Sequence, residues 1–213
     1  MSFGLISLVL FLQILTIYLD NKTNMHDFFF RVQQGTVATA YTNRGITLTV
    51  SRTLFYAVPP LLGYLILNTT QQQIEYLIVL IAMINFLITF FQGHRYCKVF
   101  KKNLMSEMLE VKPMYFNGEF YIGILAFTFF LMTPYLLNYL ALIFPSQGLW
   151  IVQLNAVFNS FLTLYVIWIF EPRVAKKIDK KNHFSDDFFE AIMVRVLGRF
   201  IIMFLIIFLL CLI

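Results

Sequence analysis

The stretch GTVATAYTNRGITLTVSRTLFY, Gly35 to Tyr56, reads as a membrane-spanning helix that carries two arginines and no acid. A cation at the centre of a bilayer costs about 2.5–3.5 kcal/mol on insertion scales. Arg44 and Arg52 therefore need a reason to be there. An anionic ligand such as a lipid headgroup supplies one. Capping of carbonyls, or snorkelling towards an interface, supplies another, and the sequence leaves both open. The arginines are accompanied by Thr36, Thr39, Thr42, Thr47, Thr49, Ser51 and Thr53. Eight helical residues correspond to about 12 Å along the axis and about 80° around it. Arg44 and Arg52 then occupy adjacent sectors of one face, which allows a single polar lining.

The chain keeps this character on both sides of the stretch. Its 213 residues are 60% hydrophobic, include 25 Phe and are only 13% charged, against about 25% in a soluble domain. The expected fold class is all-α: a polytopic integral membrane protein, with one transmembrane domain over residues 1–213. Six spans of about 20 residues are predicted. They are Ser2–Leu19, Gly35–Tyr56, Ile74–Phe91, Phe120–Phe144, Leu149–Phe170 and Val194–Ile213. The first lacks a positive start and a small-residue cleavage site, so it is expected to be a retained span.

The loops carry the formal charge of +5 unevenly. Lys22 and Arg31 follow the first span. Arg95, Lys98, Lys101, Lys102 and Lys112 follow the third, and Arg173, Lys176, Lys177, Lys180 and Lys181 follow the fifth. The loops Asn68–Gln73 and Pro145–Gly148 contain no Lys or Arg. By the positive-inside rule the basic loops are cytoplasmic and both termini lie outside. Cations beside spans are accounted for by topology and anionic lipid, so a nucleic-acid partner is not expected.

Several segments carry local expectations. Pro59-Pro60 removes two donors, so the second span should end or bend there, before a further apolar piece, Leu61–Leu67. Asn24–Gln34, with its run of Phe28, Phe29 and Phe30, reads as an interfacial or re-entrant piece. Tyr96–Leu109 reads either as an interfacial helix or as a solvated basic linker. Pro134 should bend the fourth span. Ser185 followed by acids marks a helix start, so the sixth helix should begin early and run long.

Polar residues elsewhere in the spans extend the candidate lining. Asn155, Asn159 and Thr163 recur at i, i+4, i+8 in the fifth span. That stripe suits either interhelical hydrogen bonding or a cavity wall. Arg195 and Arg199 sit near the cytoplasmic end of the sixth span, where interfacial anchoring is the first reading. No Asp or Glu is expected deep in any span. His26, His94 and His183 all fall in loops, and Cys97 and Cys211 form no disulfide or metal pattern. No nucleophile–base pair, paired carboxylates or glycine-rich phosphate loop is evident. The chain is accordingly not expected to be an enzyme, or to need a metal or other cofactor. A cation-lined membrane cavity suits a phosphate or pyrophosphate on a lipid.

Three blocks resemble a known family. RVQQGTVATA (31–40) and LTVSRTLFYAVPPLLG (48–63) contain a Ser51-Arg52-Thr53 triplet and a Pro60–Gly63 exit. FQGHRYCKVF (91–100) is a basic segment after the third span. LNAVFNSFLTLYVIWIFEPRVAKKIDK (154–180), followed by VRVLGRF (194–200), gives an acidic-Pro-basic exit and an Arg-x-x-Gly helix start. Together these are similar to the Amj-type lipid II flippases of bacterial peptidoglycan synthesis, in the manner of a divergent member. The resemblance implies flipping of an undecaprenyl-pyrophosphate-linked saccharide across the inner (cytoplasmic) membrane. The candidate headgroup-binding residues are Arg52, Arg44, Ser51, Thr53, Asn155, Asn159 and Arg199, with lipid-linked anionic saccharide and membrane lipid as partners. The alternative is a small non-catalytic subunit that packs against a larger membrane complex.

Overall fold

A computed structural model describes residues 2–23, 28–104, 118–180 and 185–212. Among the described residues the elements are all helical. They are α1 (Ser2–Asn21), α2 (Phe28–Gln33), α3 (Val37–Asn68), α4 (Gln71–Leu104), α5 (Gly118–Met132), α6 (Asn138–Ile143), α7 (Gly148–Tyr165), α8 (Glu171–Asp179) and α9 (Ser185–Leu212). Widened π turns at Thr133–Leu137 and Val166–Phe170 join α5 to α6 and α7 to α8.

Among the described residues, four helical segments are long and apolar enough to cross a membrane: Gly4–Asn21, Gln71–Val99, Pro145–Asp179 and Asp186–Cys211. A fifth is the pair Gly118–Leu131 and Tyr135–Ile143, bent by 46° if counted as one span. Helix α3, at 32 residues, is long enough to cross a membrane but is not among these segments. Six spans were expected; four or five are supported.

The helices form an open ring. Helix α3 packs on α1, α1 on α4, α4 on α9, α9 on α5 and α5 on α7. Helices α3 and α7 face each other across the remaining gap without close helix-on-helix packing. They are bridged at one end, where α6 and the first π turn touch α3. The core inside the ring includes Val9, Val58, Leu62, Ile74, Ile78, Tyr135 and Ile202. A second core holds Phe28, Phe29, Val174, Phe188 and Ile192, and seats α2 and α8 against the start of α9. Helix α7 is the least enclosed: only 6% of its span is buried, and Trp150 and Trp168 project outward.

The basic loops meet at one end of the bundle. Asn21 at the end of α1 donates to Thr89 Oγ1 at 3.2 Å and to Gln92 Oε1 at 2.7 Å on α4. Arg173 of α8 reaches Glu119 at the start of α5, at 2.8 Å, and Glu190 near the start of α9. At the opposite end Tyr139 donates to Glu75 Oε1 at 2.8 Å, joining α6 to the start of α4.

Three local expectations need correction or refinement. Of the end or bend expected at Pro59-Pro60, the end is absent, because α3 remains helical through both prolines. Val58, Leu62 and Leu65 on either side are fully buried, and that packing offsets the lost backbone bonds. Tyr96–Leu109, expected as a separate interfacial helix or a solvated basic linker, is instead a continuation of α4 as far as Leu104; residues 105–109 lie outside the described segments. Asn24–Gln34 contains the short α2, whereas Asn24–Asp27 lie outside the described segments. The bend at Pro134 and the early start of the last helix at Ser185 are both present.

Close approaches in the ring depend on glycine. A Cβ on Gly123 of α5 would lie 2.6 Å from Tyr165 Oη, and one on Gly198 of α9 would lie 2.9 Å from a Phe127 carbon. Gly123→Ala should therefore destabilise the protein by about 1–3 kcal/mol, the usual cost of overpacking. A Cβ on Gly63 meets nothing within 4 Å, so Gly63→Ala is the control. Thermal unfolding in detergent checks this; equal midpoints for the two variants would contradict it.

Candidate functional site: a cationic cavity inside the ring

Two polar stripes face inward on otherwise apolar helices. On α1, Gln13, Thr16 and Asp20 recur at i, i+3, i+7; on α4, Asn85, Thr89 and Gln92 recur at i, i+4, i+7. Both spacings keep one helix face. The first stripe and Asn85 line a cavity of about 60 Å³, room for a few waters or a small anion. Helix α3 contributes Arg44, Ser51, Arg52 and Phe55; α9 contributes Arg195 and Arg199; Tyr135 and Phe127 complete the polar and aromatic wall.

The four arginines differ in their partners. Arg44 is buried, donates through Nη1 to Glu171 Oε1 at 3.0 Å, and lies 4.9 Å from the centre of the Phe28 ring. It ties α3 to the start of α8. Arg195 and Arg199 both lie over Phe127, at 5.4 and 5.0 Å from the centre of its ring. They share Asp20, with Arg195 Nε at 3.5 Å and Arg199 Nη2 at 3.7 Å from Oδ2. Arg52 is half-buried on the cavity wall and has no hydrogen bond or ion pair among the described residues. Among the described residues the four guanidinium groups meet two carboxylates, Asp20 and Glu171.

The uncharged wall also has free valences. Asn85 Nδ2 donates to Tyr135 Oη at 2.6 Å, and Tyr135 Oη donates to Gln13 Oε1 at 2.7 Å. Gln13 Nε2, Asn85 Oδ1 and Thr16 Oγ1 are buried without a protein partner. An unsatisfied buried polar group costs about 1–3 kcal/mol. These atoms are the donors and acceptors that a polar guest would use. Ser51 Oγ is already engaged, donating to the Thr16 carbonyl at 3.0 Å and joining α3 to α1.

Of the residues expected to bind a headgroup, Arg44, Ser51, Arg52 and Arg199 line this one cavity. Thr53, Asn155 and Asn159 do not. Thr53 is turned about 100° from Arg52 by the helical repeat. It is exposed and donates to the Thr49 carbonyl at 2.9 Å. Asn155 and Asn159 line a separate outer groove with Tyr56, and Asn159 donates to Asn155 Oδ1 at 2.6 Å.

Two further expectations are corrected. Arg199 is not an interfacial anchor: it is 3% exposed and faces the cavity, because Gly198 lets α9 approach Phe127 closely. The cavity also takes in an acid: Asp20, one residue past the span predicted as Ser2–Leu19, belongs to the last turn of α1 and lines it. The stripe Gln13–Thr16–Asp20, with Asn85 from the second stripe, was the available signal for the wall that sequence reasoning missed. Comparison with protein-family models, curated proteins and solved structures gave no match, so the functional reading rests on this geometry and on the motif resemblance.

Proposed function

We propose that the protein moves an undecaprenyl-pyrophosphate-linked saccharide of the lipid II kind across the bacterial inner membrane, as a divergent Amj-type flippase. The observation that carries the reading is Arg52: a half-buried guanidinium with no partner among the described residues, on the wall of a cavity lined by four arginines. An arginine fork matches phosphate oxygens in a bidentate manner. Arg195 and Arg199 supply further charge, with Asp20 limiting their repulsion. The free amide and hydroxyl atoms of Gln13, Asn85 and Thr16 suit the remaining oxygens. At about 60 Å³ the cavity takes a small anionic group and not a sugar, so transport requires the ring to open.

Rescue of a strain depleted of its essential lipid II flippase tests the reading. Growth is expected with the wild-type chain; no growth despite normal membrane abundance would overturn it. Both termini lie outside in this reading. Gln72→Cys should then be labelled by an impermeant thiol reagent added to intact cells, and Lys180→Cys should not. Labelling of Lys180→Cys would reverse or break the topology.

A second reading has one observation in its favour. Only 6% of the span that contains α7 is buried, which leaves large apolar side chains such as Trp150 and Phe161 outward, as on a small subunit docking on a larger membrane complex. In that case Arg52→Ala would leave function intact and apolar changes on α7 would not.

A further inference from the structure

The gap between α3 and α7 contains a second, larger space. It is an outward groove of about 730 Å³, lined by Tyr56 of α3 and by Asn155, Asn159, Ser160 and Thr163 of α7. Every polar group in that lining is neutral. Asn159 Oδ1 is buried there without a hydrogen bond. A polar helix face directed at lipid is expensive, because hydrocarbon offers no partners. Two of the other side chains satisfy themselves locally: Ser160 donates to the Val157 carbonyl and Thr163 to the Asn159 carbonyl.

The groove and the cationic cavity share a wall. On α3, Phe55 lines the cavity and its neighbour Tyr56 lines the groove. On α7, Leu162 lines the cavity and its neighbour Thr163 lines the groove. The wall lies where the ring of helices is not packed closed. The two spaces are also complementary in size and charge. One is small and positive; the other is large, neutral and rich in hydroxyl and amide groups beside an aromatic ring.

We infer that the α3–α7 groove is the lateral seat for the neutral polyhydroxyl part of an amphiphile whose anionic linkage reaches Arg52. The acyl or isoprenoid tail remains in the surrounding lipid. This rests on the transport reading and adds to it the place where the sugar stays outside the cavity.

The test uses the full chain in phosphatidylcholine nanodiscs and two probes, undecaprenyl pyrophosphate and the same lipid bearing one N-acetylglucosamine. The variant Asn155→Leu/Asn159→Leu/Thr163→Val makes the groove apolar. The wild type is expected to bind both probes, the glycosylated one more tightly. The variant should bind the bare pyrophosphate as the wild type does, and the glycosylated lipid about tenfold more weakly, as loss of roughly one net hydrogen bond requires. Unchanged binding of both probes, or equal loss of both, would overturn the inference. So would a wild-type dimer that the variant converts to monomer, which would make the groove an interface between copies. If the triple variant has lost its thermal transition, the isosteric Thr163→Val is judged by the same criteria. A wild type that binds neither probe defeats the transport reading itself, and this inference with it.

Discussion

Arg52→Ala is expected to abolish transport of a lipid-linked pyrophosphate while the protein still inserts at normal abundance. Removal of a cation from a helix at membrane depth makes insertion easier. No intramolecular partner among the described residues is left unpaired by the change. What is lost is a charged donor for phosphate, worth about 1.5–3 kcal/mol per hydrogen bond. That corresponds to about ten- to hundredfold in affinity for each bond. Arg52→Lys should also be harmful, because an ammonium group does not reproduce the two-pronged guanidinium contact. Arg44→Ala should differ in kind: it releases Glu171 and the Phe28 ring, and so loosens α3 from α8. The comparison needs a transport or complementation assay with membrane abundance measured in parallel. Full activity of Arg52→Ala at wild-type abundance would remove Arg52 from the site.

The largest effect on stability is expected at Arg173. Its guanidinium holds Glu119 of α5 and Glu190 of α9, and lies 3.9 Å from Asp187, which is 1% exposed. Lys177 covers the other side of Asp187 at 2.6 Å, and Tyr165 donates to Glu190 at 3.3 Å. Removal of one partner from a buried ion pair typically costs about 3–5 kcal/mol, because the other charge remains buried. Arg173→Ala should therefore lower the thermal midpoint sharply and reduce membrane abundance. Replacement of both sides, as in Arg173→Met with Glu190→Leu, should recover much of the loss, since an apolar pair carries no such penalty. An Arg173→Ala midpoint equal to wild type would show that the cluster is not structural.

Much of the helical layout was legible in the primary structure. Ser185 with Asp186 and Asp187 marks a helix start because a capping side chain and early acids suit the exposed N–H groups and the dipole. Pro134 marks a bend because it removes a backbone donor. The Arg44–Arg52 spacing places both residues on one wall, and the structure brings both to one cavity. Other features depend on tertiary contacts that spacing does not encode. Pro59-Pro60 continues the helix because Val58 and Leu62 are clamped by neighbours distant in sequence. Helix α4 outruns the bilayer: its 34 residues span about 51 Å, against a hydrocarbon core of about 30 Å. Arg199 could be assigned to the interior only once Gly198 was seen against Phe127. Asp20 escaped notice because it closes a span rather than interrupting one.

The exposed face of α7 has a spectroscopic consequence. The chain has two tryptophans. They are Trp150 and Trp168, which are 74% and 72% exposed near the two ends of the same outward path. Eighteen helical residues cover about 27 Å, close to the thickness of a hydrocarbon core, and indoles favour its two boundaries. Tryptophan emission from this protein thus reports membrane depth at both leaflets and is largely blind to the interior. Lipids brominated near the headgroup should quench both indoles more than lipids brominated at mid-chain; the reverse order would mean that α7 does not stand across the bilayer. With the native indoles acting as a depth gauge, any tilt of α7 that opens the ring should be detectable without an added label.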